Sequence, residues 1–99
     1  MTVNITTTGT KTKDQIPFLK RKNGKQGLAF SGSTLPTTLQ VGFIADDGST
    51  FIPLTGGTIT VLPTTLVVNS MPDKGLALNV TGGSPDFNVD DPGVSGPIV

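Results

Sequence analysis

The sequence predicts an all-β fold: a small antiparallel β-sandwich or barrel of about seven to eight short strands, with extended termini. Three observations predict it. Among 99 residues Thr is the commonest at 16 and Gly follows at 13, while Ala occurs three times and Glu is absent. Helix formers are therefore scarce, and β-branched and turn-forming residues abound. Short apolar runs alternate with polar residues at the two-residue period of a half-buried strand. Turn signals (Asn23-Gly24, Asp47-Gly48, Gly56-Gly57, Gly82-Gly83) separate those runs at the spacing of sandwich and barrel proteins.

Taken in order, residues 2–8 put Val3 and Ile5 on one face, which suits a half-buried strand or an arm lying on a neighbour. Residues 9–14 contain no apolar anchor and read as loop, so 1–14 is expected to be an N-terminal arm ahead of a single domain over 15–90. Residues 15–21 carry Ile16, Phe18 and Leu19; Pro17 cannot donate to a ladder, which places this strand at an edge or makes it start late. Asn23-Gly24 is a two-residue hairpin signal. Residues 26–31 then return with Leu28 and Phe30 on one face, so 15–31 reads as a hairpin whose tip holds Lys20, Arg21, Lys22 and Lys25.

Residues 32–38 are a connection rich in Ser, Thr, Gly and Pro. They lead into the strongest pattern in the chain, 39–54. There Leu39, Val41 and Phe43 alternate with Gln40, Gly42 and Ile44, then Asp46-Asp47-Gly48-Ser49 turns, and Phe51-Ile52-Pro53-Leu54 returns. Gly48 takes the positive φ of such a turn without steric cost. Beyond it, Gly56-Gly57 reads as a turn, 58–62 as an alternating strand, 66–68 as another, 69–75 as a turn, 76–80 as a strand, and Phe87 and Val89 as a last short one. Residues 91–99 hold Pro92, Gly93, Gly96 and Pro97 and are expected to be an extended tail that orders on a partner.

The length suits one domain. A domain of this size buries roughly 60–65% of its unfolded surface. With five Phe and no Trp or Tyr, a lean core of Val, Ile, Leu and Phe must hold it, or neighbouring subunits must help. The absence of Cys removes disulfides and thiolate metal sites. No basic segment followed by an apolar one opens the chain, so no secretory signal is expected. No apolar run reaches the length of a bilayer span. Manufacture in a cytoplasm, or export by assembly into something larger, is the expectation.

The formal net charge is zero, but residues 1–45 hold six bases and one acid whereas 46–99 hold one base and six acids. This segregation suits head-to-tail docking of identical copies; the plainer account is a set of solvated turns. General acid–base catalysis draws on His, tuned Glu, Lys, Tyr or Cys, and of these only Lys is present. No Gly-x-Ser-x-Gly elbow occurs. Asp46 and Asp47 are adjacent on a turn, where side chains diverge and no cleft is expected. An enzyme is not expected, nor is any cofactor.

Asp86-x-Asn88-x-Asp90 matches the first half of a calcium loop, but Asp91 stands where the loop needs Gly and Pro97 where it needs Glu. An acidic surface strand is the expectation. The basic tip at 20–25 lacks the stacking aromatics of a nucleic-acid surface, because Phe18 and Phe30 alternate toward the core. Neither Gly-Gly pair is followed by Lys-Ser/Thr and a helix, so neither is a phosphate loop. No nucleic-acid or membrane partner is expected.

The stretch 39–54, with 58–62 and Leu76-Ala77-Leu78-Asn79-Val80-Thr81-Gly82, resembles the small β-sandwich structural proteins of tailed bacteriophages, the Thr/Gly-rich, Cys-free decoration and minor virion proteins. The likeness spans about 37–90. It implies a non-enzymatic capsid decoration or cement protein that docks on the phage head as a homo-oligomer, a trimer by the resemblance. The implied partner is the major capsid protein or another virion protein, and the implied location is the virion, assembled in the host cytoplasm. A tail, neck or fibre component is the alternative within that class, and a carbohydrate-binding or adhesion module the alternative outside it. The candidate contact residues are Val3 and Ile5 of the arm and Lys20, Arg21, Lys22 and Lys25 of the basic tip.

Overall fold

A computed structural model of the chain describes residues 2–20, 25–68, 75–92 and 95–96. The apolar runs condense into strands β1 (Thr2–Ile5), β2 (Gly9–Lys11), β3 (Lys25–Thr34), β4 (Thr38–Ile44), β5 (Phe51–Thr58), β6 (Thr64–Val68), β7 (Ala77–Thr81), β8 (Asp86–Asp90) and the two-residue β9 (Ser95–Gly96). They form two antiparallel sheets, one ordered β1-β8-β3-β6 with β9 also on β3, the other β2-β7-β4-β5. The all-β sandwich expected from composition and periodicity is the fold.

The pairing has a simple logic. β1 pairs with β8, β2 with β7, β3 with β6 and β4 with β5. That is one long hairpin folded over on itself so that its ladder divides between two sheets. Additional β3–β8 and β4–β7 pairs close each sheet. An eight-stranded double sheet with this nested order is a jelly roll. β5 and β6 are the edge strands of one flank, and β1 and β2 those of the other.

The core is built where the two-residue period turns apolar side chains inward. Leu28 and Phe30 of β3 and Phe87 and Val89 of β8 are buried, as are Leu39 and Val41 of β4 and Leu78 and Val80 of β7. Burying each such side chain contributes roughly 1.5–3 kcal/mol. Ile5, Val68, Ile59 and Leu76 close the margins of this cluster.

The β4–β5 hairpin forms as its sequence predicts. Ile44 lies opposite Phe51, the Ala45 N–H donates to Thr50 O at 2.8 Å, the Gly48 N–H donates to Ala45 O at 2.9 Å, and Gly48 has φ +81°.

Elsewhere the structure corrects the expectation. Residues 2–11 are not an arm: β1 and β2 are strands of the two sheets, paired with β8 and β7. The domain therefore begins well before residue 15. Residues 15–20 are not a hairpin strand. Gln15 and Ile16 N–H groups donate to Thr12 O at 3.0 and 2.9 Å, and Pro17–Leu19 is a single 3-10 turn. A strand would expose every second side chain, whereas this turn buries Ile16, Phe18 and Leu19 together. The fixed φ of Pro17 suits the first position of a helical turn. The Asn23-Gly24 tip lies outside the described residues.

Gly56-Gly57 is not a turn between strands but part of β5, where the register with β4 shifts between Gln40 and Gly42. Gly56 has φ +76°, and a Cβ on Gly57 would stand 2.5 Å from Val41 O, so this bulge needs glycine at both positions. Residues 59–63 are consequently no strand. Ile59 is buried and its N–H donates to Leu39 O at 2.9 Å, and the chain then crosses to the other sheet. Of the expected C-terminal tail, Ser95–Gly96 pairs with Lys25 and Gln26, and 93–94 and 97–99 lie outside the described residues.

Candidate assembly surfaces

The topology puts the connections 6–8, 35–37, 59–63 and 82–85 at one end of the sandwich, and none of these contains a charged residue. The β2–β3 connection, the β4–β5 turn and the approach to β7 lie at the other end. Thr12, Lys13, Asp14, Gly48, Gly75 and Leu76 line a shallow groove of about 250 Å³ there. The Leu76 N–H donates to Leu19 O at 2.8 Å, tying the approach to β7 to the 3-10 turn. The basic residues described, Lys11, Lys13, Lys20 and Lys25, all lie in or beside the β2–β3 connection. Asp46 and Asp47 belong to the β4–β5 turn at the same end. The four described bases of the first half and two of the acids of the second thus share one end of a single copy, which leaves less separated charge among the described residues for head-to-tail docking.

At that turn the Asp47 carboxylate accepts hydrogen bonds from the Ser49 and Thr50 N–H groups at 2.9 Å and from the Thr50 hydroxyl at 2.5 Å. The Thr50 hydroxyl bond, then the two backbone donors, hold its pKa down at about 2, below the ordinary 3.8. This is a turn held by its own side chain, an Asx-type arrangement. Asp46 and Asp47 do not converge on a cleft.

The residues read as contacts from sequence divide on inspection. Ile5 is 4% exposed and belongs to the core, and Val3 is half-buried against that core. The β1–β8 pairing commits Ile5 to the protein's own interior, while Val3 keeps part of its surface exposed. Lys20 is exposed just after the 3-10 turn and Lys25 is half-buried at the start of β3. Arg21 and Lys22 lie outside the described residues.

Asp86, Asn88 and Asp90 alternate along β8 on the outer face of their sheet, opposite Asn4 and Thr2 of β1. The Asn4 amide donates to Asp86 Oδ1 at 3.1 Å, Asn88 Oδ1 at 2.9 Å and Phe87 O at 3.2 Å, and the Thr2 hydroxyl donates to Asp90. These groups cross-link two strands. Among the described residues no group of three or more acidic side chains is gathered to hold a metal ion.

Sequence reasoning missed the opposite flank. Ile52 is 38% exposed, Val67 44% and Val61 59%, the large apolar side chains that this surface leaves to solvent. Ile52 lies on β5, Val67 on β6, and Val61 on the crossing between them. In a strand over 58–62 Val61 would share the face of the buried Ile59; in the crossing it is exposed. A signal was present: residues 48–72 contain no Asp, Glu, Lys or Arg, a run that covers both edge strands of this flank.

Comparison with protein families, with characterised proteins and with solved structures found no match to this chain.

Proposed function

We propose that this chain is a non-enzymatic structural protein of a bacteriophage virion, a decoration or minor component that docks on the head as a homo-oligomer. The observation that carries this reading is the β5/β6 flank. The edge strands of the two sheets on that flank, and the crossing between them, leave Ile52, Val61 and Val67 exposed on a segment without charge. A surface of that kind is stabilised by being covered, and assembly covers it. The jelly-roll order supports the reading at the level of fold, because capsid domains use it; lectins use it as well. Lectin sites stack aromatic rings on sugars, and this chain has no Trp or Tyr to offer.

Two measurements test the proposal. Light scattering after size-exclusion chromatography should give a discrete oligomer. Immunogold labelling should place the protein on particles of the phage whose genome carries this sequence. A salt-insensitive monomer that never labels particles, or specific binding on a glycan array, overturns it.

A further inference from the structure

Three of the four edge strands carry devices that discourage a second chain from pairing with them. β2 is three residues long and carries a charge, Lys11, whose ammonium is held at the edge by Thr7 and Thr8. β5 contains Pro53 and the Gly56-Gly57 bulge. β1 is four residues long, and Asp86 and Asp90 of its neighbour stand beside it, bonded to Asn4 and Thr2. β6 has none of these. It reads Thr64-Thr65-Leu66-Val67-Val68, four of five β-branched and none charged, Pro or Gly, and its register with β3 runs unbroken from Gln26↔Val68 to Phe30↔Thr64.

We propose that two copies of this chain pair β6 to β6 about a two-fold axis, continuing the β1-β8-β3-β6 sheet from one protomer into its partner. The occupant is identified by self-complementarity. A two-fold contact sets each surface patch against itself, so every charge in the patch must be matched across the axis or desolvated, whereas an uncharged patch meets neither demand. The β1/β2 flank presents Lys11, Asp86 and Asp90, whereas the β5/β6 flank lies within the uncharged run 48–72. Pairing all five residues centres the contact on Leu66. Thr65 then stands opposite the partner's Val67, Thr64 opposite the partner's Val68, and every cross-strand pair away from the axis is of β-branched residues. The outward N–H and C=O groups of β6 gain partners, and the exposed Val67 is covered. This inference rests on the assembly reading above for its setting only, and it specifies a dimer where the resemblance implies a trimer.

The test uses the full chain. Sedimentation over a concentration series should show a monomer–dimer equilibrium. Val67→Lys, at an exposed position, should weaken it at least about tenfold while leaving the far-UV circular dichroism and melting temperature of the monomer unchanged. Thr10→Lys, on the β2 edge, should leave the equilibrium as it was. Because the chain has no Cys, a Thr65→Cys chain mixed with a Val67→Cys chain should give a mixed disulfide in preference to either homodimer, which reports the register. A monomer at every concentration, a dimer indifferent to Val67→Lys, or a trimer without the 65–67 cross-link overturns the proposal. A monomer that still labels phage particles would remove this pairing and keep the virion reading. A β6 dimer never found on particles would do the reverse.

Discussion

On the β1/β2 flank the edge strands are four and three residues long, and polar side chains tie them to the molecule. Asn4 reaches Asp86, Asn88 and the Phe87 carbonyl, Thr2 reaches Asp90, and the Lys11 ammonium donates to Thr7 Oγ1 at 2.7 Å and Thr8 O at 3.2 Å. On the β5/β6 flank the strands are eight and five residues long; both hold their places by backbone pairing, and β5 also by glycines that let it approach β4 closely. One flank satisfies its own polar groups. The other, among the described residues, leaves apolar side chains and an edge strand without charge, Pro or Gly. In a sheet protein an edge that is neither charged, broken nor covered is an edge available to another chain, so the contrast separates the surface of the monomer from the surface of an assembly.

Four substitutions test whether the two flanks differ in this way. Phe87→Ala, in the strand that links β1 to β3, removes a side chain with no exposure and should cost about 3–5 kcal/mol in urea unfolding. It should loosen both flanks, because both lean on the same centre. Gly42→Ala should act on the β5/β6 flank first. Its Cβ would stand 2.1 Å from Ile52 O and 2.7 Å from the Phe51 ring, so β5 must move away, at about 1–3 kcal/mol, with amide exchange rising in 51–58 ahead of 2–5. Asn4→Ala should act only on the other flank. It removes three hydrogen bonds at an exposed site and should cost about 1 kcal/mol, with fraying confined to β1.

The smallest effect is at the β4–β5 turn. The folded-state pKa of Asp47, about 2, lies below its ordinary 3.8. The ionised carboxylate therefore supports the fold fully above 3.8, and that support is lost as the pH falls through about 2. Melting temperatures of the wild type and Asp47→Asn should converge across that interval. Parallel curves would mean that the turn holds without the charge.

Much of the core was legible in the sequence because a strand's period is a local property. Leu28 and Phe30, Leu39 and Val41, Leu78 and Val80, and Phe87 and Val89 each declare an inward face by spacing alone. The 46–49 turn was legible for a similar reason, since Asp47 and Gly48 act within their own turn. The candidate site was mostly not legible. Val3 and Ile5 show the spacing of a strand, but nothing local says whether the covering surface is a partner's or the protein's own.

The legible signals were therefore local: scarce helix formers, two-residue periods, a glycine at a positive-φ turn, and a long uncharged run. The tertiary structure alone decided the long-range partnerships. β1 pairs with β8 across more than 80 residues (Thr2↔Asp90), which made strands of the expected arm. Gly56-Gly57 became a bulge because β4 passes against it. Pro17–Leu19 coiled because three neighbouring apolar side chains had one core to enter. Strand pairing is a contest between whole faces and edges, and the energy that settles it comes from residues far apart in the chain. For the same reason a run of uncharged residues became a flank only once β5 and β6 took the corresponding edges of the two sheets.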